Sequence, residues 1–349
     1  MGQHAGVDAT KGRVWTVPGK LMIAGEYAVL RPTGSCLAVA VGEVVEVRVD
    51  PTASPPSAKL TVADEVVRLD LPDSGIADGA AHRPRRPHGI GGLATIAEEA
   101  LRRVGADGSR GPRGSITLTV VGGRLGGQKT GVGTSAAVAV AAVEAAALLW
   151  RTTETRAPLE AASRIDAALG AHISGQDGQG SGYDIVTISL GGVVAWQRGE
   201  TPRSMPWPNG LFGVALFTGK QDDTREALRR GVDPQSAEVT AIAAATDALR
   251  DDWQHAAPAT LLDRLRDCEA AAEALAGEYQ HLRPQAVRTA TDFIKSWRAI
   301  ARTSGAGGGD CVLALGEDAE RISALARGWQ ARGGAVVAEL PAGVATRGR

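Results

Sequence analysis

Apolar and polar positions alternate along this chain in a way that predicts a mixture of strands and helices. The segment 18–30 is mostly apolar but is interrupted by a proline and two glycines, which predicts the first turn and places Lys20 and Glu26 beside it. Those two charges need partners: either an internal ion pair or, for the lysine, a phosphate group. Strands are predicted over 13–17, 36–49, 58–71, 115–121, 185–190, 193–196, 211–217, 312–315 and 335–340. Helices are predicted over 91–104, 158–169, 237–249, 259–275, 283–301 and 318–332, and over an alanine- and valine-rich run that ends at Leu149.

Length and composition limit the number of domains and the kinds of partner that this chain can have. The 349 residues suffice for two domains, and we predict a flexible 1–12, an N-terminal domain over 13–200 and a C-terminal domain over 201–349. The net charge of −1 gives no reason to expect nucleic acid or an anionic membrane as a partner. Three scattered cysteines match neither a disulfide framework nor a metal knuckle. With no apolar leader or long apolar run, we expect a cytoplasmic protein, monomeric or homodimeric.

A glycine-containing turn precedes the alanine-rich helix and has the features of a phosphate-binding loop. Gly131 and Gly133 permit a tight turn close to a bulky ligand, and Thr134 and Ser135 place two hydroxyls at the helix start. The first N–H groups of a helix are unpaired and lie at its positive end, where a polyphosphate binds well.

Three other interpretations of this turn are open. A Walker loop requires a lysine directly after the last glycine, whereas Lys129 precedes both glycines. A dinucleotide fingerprint fits Gly131, Gly133 and Ala136, but no second strand ending in an acid follows about twenty residues later. A plain helix N-cap with a flexible entry would suffice if the turn stood alone.

Two more glycine-rich segments make the turn part of a set. Gly180-Ser181-Gly182-Tyr183-Asp184 ends in an acid where we expect a loop to enter a sheet. Ser304-Gly305-Ala306-Gly307-Gly308-Gly309-Asp310-Cys311 precedes a strand, and so many glycines indicate a bare backbone lying against something large. Phosphoryl transfer needs a cradle for the donor, a cation, a metal site and an aligned acceptor, and the chain has a candidate for each.

Taken together, these segments resemble the GHMP kinases, and within them the bacterial branch that phosphorylates phosphomevalonate. Pro18-Gly19-Lys20-Leu21 with Gly25-Glu26-Tyr27-Ala28-Val29 resembles the first motif, Gly131 to Ala137 the second, and Ser304 to Cys311 the third. His172 and Gln176 precede Asp184 at the spacing of that branch. The resemblance implies a two-domain α/β fold: an N-terminal domain with a left-handed βαβ unit that binds ATP, a ferredoxin-like C-terminal domain, and an active site in the cleft between them.

The resemblance also implies roles for individual residues. Lys20 and Asp184 would be catalytic, with Asp184 either accepting a proton or only orienting the acceptor, and Ser135 would hold Mg²⁺. ATP would be bound by Lys129, Gly131, Val132, Gly133, Thr134, Ser135, Ala136 and Ala137. Substrate or phosphate would be bound by Gly25, Glu26, Tyr27, Ser181, Gly182, Ser304, Gly305, Ala306 and Gly307. The basic loop 82–88 is a further candidate for phosphate binding, against the alternative that it is only solvated.

The activity implied is ATP-dependent phosphorylation of 5-phosphomevalonate in isoprenoid synthesis, with Mg²⁺ as cofactor. Three departures from the family pattern stand out: Thr134 in place of a serine, Arg302 in place of a lysine, and Ile173 where mevalonate kinases carry a metal-binding glutamate. The alternatives are a kinase of another small alcohol, such as mevalonate or homoserine, and a non-catalytic relative that binds ligand. Such relatives tend to lose the lysine, the acid or the metal hydroxyl, and all three are present here.

Overall fold

The computed structural model of the chain describes residues 12–72, 89–105, 113–151, 159–175, 180–220, 231–305, 307, 309–341 and 343. It divides into two compact units that interleave along the sequence. The first consists of Met1–Val17, Glu43–Gly122 and Thr134–Gly178, and the second of Pro18–Gly42, Gly123–Gly133 and Gln179–Arg349. Strands β1 (Arg13–Ala24) and β2 (Ser35–Asp50) contribute residues to both units.

In its described residues the first unit combines a sheet with three helices. Its further elements are β3 (Ser57–Val62), β4 (Glu65–Leu69), α1 (Ile90–Gly105), β5 (Ser115–Val120), α2 (Thr134–Arg151) and α3 (Ala161–Gly175). Strand β5 pairs antiparallel with the second half of β2 and parallel with β3, which pairs antiparallel with β4. Helix α1 packs against both α2 and α3. Small alanine side chains on α2 allow this close packing, and nearly all of them are buried.

The second unit contains the remaining elements. These are β6 (Arg124–Leu125), β7 (Gln128–Lys129), α4 (Tyr183–Leu190), β8 (Val193–Gln197), β9 (Arg203–Met205), β10 (Phe212–Phe217), α5 (Ala237–Asp252), α6 (Pro258–Glu278), α7 (Gln285–Ser296), β11 (Ile300–Thr303), β12 (Cys311–Gly316), α8 (Ala319–Ala331) and β13 (Ala335–Leu340). Strands β10 to β13 form an antiparallel sheet in the order β11-β12-β10-β13. Helices α7 and α8 bury Phe293, Ile294, Leu325 and Trp329 against it.

Most of the predicted strands and helices lie close to their predicted positions, and three predictions are wrong. The segment 185–190 forms helix α4 and not a strand. Ile185, Val186, Thr187 and Ile188 are all buried, so the segment lacks the alternation of a half-buried strand, and burial outweighs its β propensity. The Thr187 hydroxyl donates to the Tyr183 carbonyl at 2.7 Å, which satisfies it within the helix.

The other two errors concern element ends. Strand β1 continues through Pro18 and Gly19 to Ala24, so Lys20 lies within a strand and not beside a turn. Helix α7 ends at Ser296, and Ile300–Thr303 forms the edge strand β11. Arg298 has a φ of 56°, outside the helical region, which explains the break.

The predicted domain boundary near residue 200 stays a prediction. The two compact units described above interleave along the chain. Among the described helices, none is both long and apolar enough to cross a membrane.

Candidate active site

The glycine turn at residues 131–133 is built around the Lys20 side chain. The Lys20 amide donates to the Val132 carbonyl at 2.8 Å, and Lys20 Nζ donates to the Gly131 carbonyl at 3.3 Å. Both glycines have positive φ, 75° and 77°, and a Cβ atom at position 133 would lie 3.1 Å from Lys20 Cε. Strand β1 and the glycine turn are therefore in direct contact.

The glycine-rich segment 304–311, called the third loop below, also contacts this turn. Its residue Asp310 lies against Gly131. A Cβ atom at position 131 would lie 2.4 Å from Asp310 Cβ and 2.5 Å from its Oδ2 atom. Only glycine fits here, because a side chain would have to overlap this aspartate. The neighbouring Cys311 thiol donates to the Thr130 carbonyl at 3.1 Å, which ties the two loops together.

Lys20 is the cation at the centre of these contacts. Its Nζ atom lies 5.3 Å from the centre of the Tyr183 ring. Burial alone would lower the pKa of Lys20, but Tyr183, Asp184 and Asp310 raise it above its usual value. The lysine therefore remains an ammonium ion at physiological pH.

Asp184 lies at the start of helix α4, next to Tyr183. The helix follows Gly182, whose φ of 83° lets the chain turn sharply, and the Asp184 carboxylate accepts from the Ile185 amide at 2.9 Å. Burial raises the pKa of Tyr183, as does the Asp184 charge, while Lys20 opposes the shift. The charge of Asp184 also raises the pKa of Lys20, so these two residues interact electrostatically. Their catalytic roles stay predictions.

The third loop is anchored to strand β1 through Ser304. The Ser304 hydroxyl accepts from the Met22 amide at 2.9 Å, and the Ser304 amide donates to the Cys311 carbonyl at 3.1 Å. Gly305 has a φ of 89° with open space where a side chain would extend, whereas Gly307 lies close to the Leu282 carbonyl. Ala306 lies outside the described residues, as do Gln176 and the basic loop 82–88.

Ser135, the predicted metal ligand, lies in the first turn of helix α2. Its hydroxyl is 3.0 Å from Nε2 of His172 on α3, and His172 is buried. Thr134, Ala136 and Ala137 are buried in the same turn, so their backbone rather than their side chains would meet a ligand. No group of three or more histidine, cysteine or acidic side chains that could hold a metal occurs in the described part of the chain.

Several predicted binding residues lie away from the glycine turn. Lys129 is exposed in the hairpin of β6 and β7. Tyr27 is buried in an apolar cluster with Val239 and Ile242. Gly25 is packed so closely against Ser35 and Cys36 that a Cβ atom would lie 2.6 Å from Cys36 Cβ. Binding roles for these residues stay predictions.

Glu26 takes part in a buried chain of ion pairs. Arg302, 0% exposed, donates from Nη2 to Glu26, from Nη1 to Glu269 at 3.2 Å and from Nε to the Ile23 carbonyl at 3.2 Å. Arg283 pairs with the other oxygen of Glu269 at 2.8 Å. Burial raises the pKa of Glu269, and Arg302 and Arg283 oppose that shift. Of the two possibilities for Glu26 and Lys20, an internal ion pair is therefore found for Glu26, with Arg302 as its partner.

Sequence reasoning did not assign a role to Asp310, Tyr183 or His172. Asp310 was recognised only as part of a motif, and its contact with Gly131 joins positions far apart in sequence. The available signal was an acid directly after a glycine-rich loop.

No family model matches the sequence. Phosphomevalonate kinase of Streptomyces sp. (strain CL190) is 27% identical, over 90% of this chain and 93% of that protein. Two similar solved structures are the Lin0012 protein of Listeria innocua (TM-score 0.77, 17% identity, 94% of this chain and 97% of that one) and Streptococcus pneumoniae phosphomevalonate kinase in complex with phosphomevalonate and AMPPNP (TM-score 0.74, 18% identity, 94% and 99%). Mevalonate kinases and a galactokinase have the same fold. The predicted GHMP kinase fold and the resemblance to phosphomevalonate kinase are confirmed.

The contact between Gly131 and Asp310 predicts an unequal effect of alanine at two glycines. Gly131→Ala adds both an unfavourable φ and an overlap with Asp310, whereas Gly126→Ala, at a φ of 54°, meets nothing within 4 Å. We expect Gly131→Ala to lower the free energy of unfolding by about 1–3 kcal/mol more than Gly126→Ala, measured by urea unfolding. Equal losses would mean that the turn has room for a side chain.

The buried ion chain predicts a large cost for removing its central cation. Arg302→Met leaves the carboxylates of Glu26 and Glu269 without this partner, and we expect a loss of about 3–5 kcal/mol in urea unfolding. Arg302→Met combined with Glu26→Gln should recover part of it, because position 26 then carries no charge and Glu269 keeps Arg283 as its partner. The control Arg264→Met breaks a more exposed pair with Asp252 and should change little. A small loss for Arg302→Met alone would show that water reaches the two glutamates.

Proposed function

Because the chain has the GHMP kinase fold and is similar in sequence to a phosphomevalonate kinase, we propose that it transfers the γ-phosphoryl group of ATP to (R)-5-phosphomevalonate. The products are ADP and 5-diphosphomevalonate. The observation that carries the proposal is the Lys20 ammonium held on the carbonyl of Gly131, with Tyr183, Asp184 and Asp310 around it. A fixed cation on a bare glycine backbone is suited to a phosphoryl group in transfer.

The glycine turn and the start of α2 bind the triphosphate. The first N–H groups of α2 have no partner within the helix and lie at its positive end, where an anion binds well. The Lys20 ammonium stabilises the negative charge that moves from donor to acceptor. Positioning and charge are nearly all that this class of reaction requires from the protein.

Asp184 orients the acceptor. A phosphate monoester is already largely ionised near neutral pH, so its oxygen can attack without a strong base. An orienting or electrostatic role for Asp184 therefore fits better than general-base catalysis.

Mg²⁺ fits the residues at the start of α2 if the nucleotide supplies most of its ligands. The Ser135 hydroxyl is one suitable oxygen, held by His172 at 3.0 Å, and Mg²⁺ is often bound through one or two protein oxygens with phosphates and water. Bound there, the ion would neutralise charge on the β- and γ-phosphates.

A kinase of mevalonate is the second candidate, since mevalonate kinases share the fold. Ile173, next to His172 on α3, stands where the metal-binding glutamate of mevalonate kinases is expected. This difference favours phosphomevalonate as the acceptor.

The Lys20→Met substitution tests the central cation. We expect kcat to fall by about 100- to 1000-fold, since a charge that stabilises the transition state is lost. Coupled-assay measurement of ADP release gives kcat, and circular dichroism checks the fold. Lys59→Met, on an exposed position of β3, is the matched control and should retain the wild-type rate. Undiminished turnover by Lys20→Met would remove Lys20 from the mechanism.

Substrate identity is tested by offering phosphomevalonate, mevalonate and homoserine in parallel with Mg·ATP. We expect ADP release with phosphomevalonate alone, and a new diphosphate in the ³¹P spectrum of the product. Turnover with another acceptor would keep the kinase and replace the substrate. ATP binding without turnover on all three would support the non-catalytic alternative.

A further inference from the structure

Asp310 has an unusual backbone conformation at the end of the third glycine loop. Its φ is 53°, a left-handed value that is uncommon outside glycine and is tolerated best by asparagine and aspartate. Two hydrogen bonds hold it there: the Asp310 amide donates to the Lys220 carbonyl at 2.6 Å, and the Thr218 amide donates to the Asp310 carbonyl at 2.8 Å. A strained residue that is fixed on both sides points to a functional demand on its side chain.

The Asp310 side chain lies on the same residue of the turn that Lys20 contacts. Its Oδ2 atom is 2.5 Å from the point where a Cβ atom of Gly131 would lie, and Lys20 Nζ donates to the carbonyl of Gly131 at 3.3 Å. The thiol of Cys311, the next residue, donates to the Thr130 carbonyl, which fixes the carboxylate against the turn. The Asp310 carboxylate and the Lys20 ammonium thus both lie against Gly131.

We propose that Asp310 is a positioning residue for Lys20: its carboxylate holds the ammonium at the glycine turn in the orientation that phosphoryl transfer requires. The proposal rests on the proposed function as far as catalysis is concerned. The position of Lys20 itself can be tested without any reaction.

The electrostatics of the site agree with this role. Burial lowers the pKa of Lys20, and Tyr183, Asp184 and Asp310 raise it. Asp184 belongs to α4, whereas Asp310 belongs to the third loop, so the two carboxylates act on Lys20 from different elements. Removal of either one should leave the ammonium less well fixed.

Asp310→Asn is the informative variant. Asparagine tolerates a left-handed φ as well as aspartate does, so the substitution removes the charge and leaves the backbone conformation accessible. We expect kcat to fall by about 10- to 100-fold with no rise in the KM for ATP, because loss of a negative charge does not weaken the binding of an anion. The thermal midpoint should change by no more than about 2 °C.

A second readout observes Lys20 directly. The chain has six lysines, so ¹³C labelling at lysine Cε gives few signals, and the Lys20→Arg variant identifies the one from Lys20. We expect Asp310→Asn to lower the pKa of Lys20, because a nearby opposite charge is lost. Asp318→Asn is the matched control: Asp318 caps helix α8 through the Arg321 amide at 3.0 Å, a role asparagine can also fill. It should change neither kcat nor the Lys20 signal.

Two results would overturn the proposal. One is an unchanged kcat and an unchanged Lys20 signal in Asp310→Asn. The other is an unchanged Lys20 signal with a rise of about tenfold or more in the Mg²⁺ concentration for half-maximal rate, which would make Asp310 a metal ligand instead. A wild-type protein without turnover on phosphomevalonate would contradict the proposed function, and the Lys20 titration would still decide the role of Asp310.

Discussion

The candidate active site depends on one constraint, a partly buried ammonium ion that must stay charged. Lys20 extends from strand β1 across the glycine turn and donates to the Gly131 carbonyl at 3.3 Å. Burial works against its charge, and Tyr183, Asp184 and Asp310 restore it. The segments 180–184 and 304–311 supply these groups, and the glycine turn supplies the carbonyl. The arrangement of all three segments therefore follows from the need to surround one cation.

A second buried cation fixes the approach of the third loop. Arg302 lies two residues before Ser304 and contacts Glu26, Glu269 and the Ile23 carbonyl. Ser304 in turn accepts from the Met22 amide on β1. A buried charge without partners is very unfavourable, so Arg302 must keep these contacts. The network therefore fixes the position of the start of the third loop relative to β1. The arginine at the place of the usual lysine thus acts here through structure, and its fork geometry suits two carboxylates at once.

The sequence predicts those elements of the fold that are determined by residues close together in the chain. The helix start at Thr134, strand β5 with its alternating Ile116, Leu118 and Val120, and the glycine turn follow from local pattern. Helix α4 does not, because its β-branched residues are helical only in a buried setting that other segments create. The contact of Asp310 with Gly131 and the pairing of Glu26 with Arg302 join residues far apart in the chain. Periodicity carries no information about such contacts, whereas motif resemblance indicated that these segments meet.

In the proposed function the Lys20 cation meets a polyanion, and the two carboxylates beside it oppose the binding of that polyanion. The effect of these carboxylates on Lys20 depends on whether phosphate is bound. Without ligand they keep Lys20 protonated and fixed, so no reorganisation is needed when phosphate arrives. Once phosphates surround the ammonium, its interaction with the new anions replaces part of that with Asp184 and Asp310. An arrangement of this kind weakens ground-state binding somewhat, yet it retains a preoriented charge for the phosphoryl group in transfer, and only interactions stronger in the transition state raise kcat. For the proposed transfer, the acidic surroundings of Lys20 therefore favour rate over affinity.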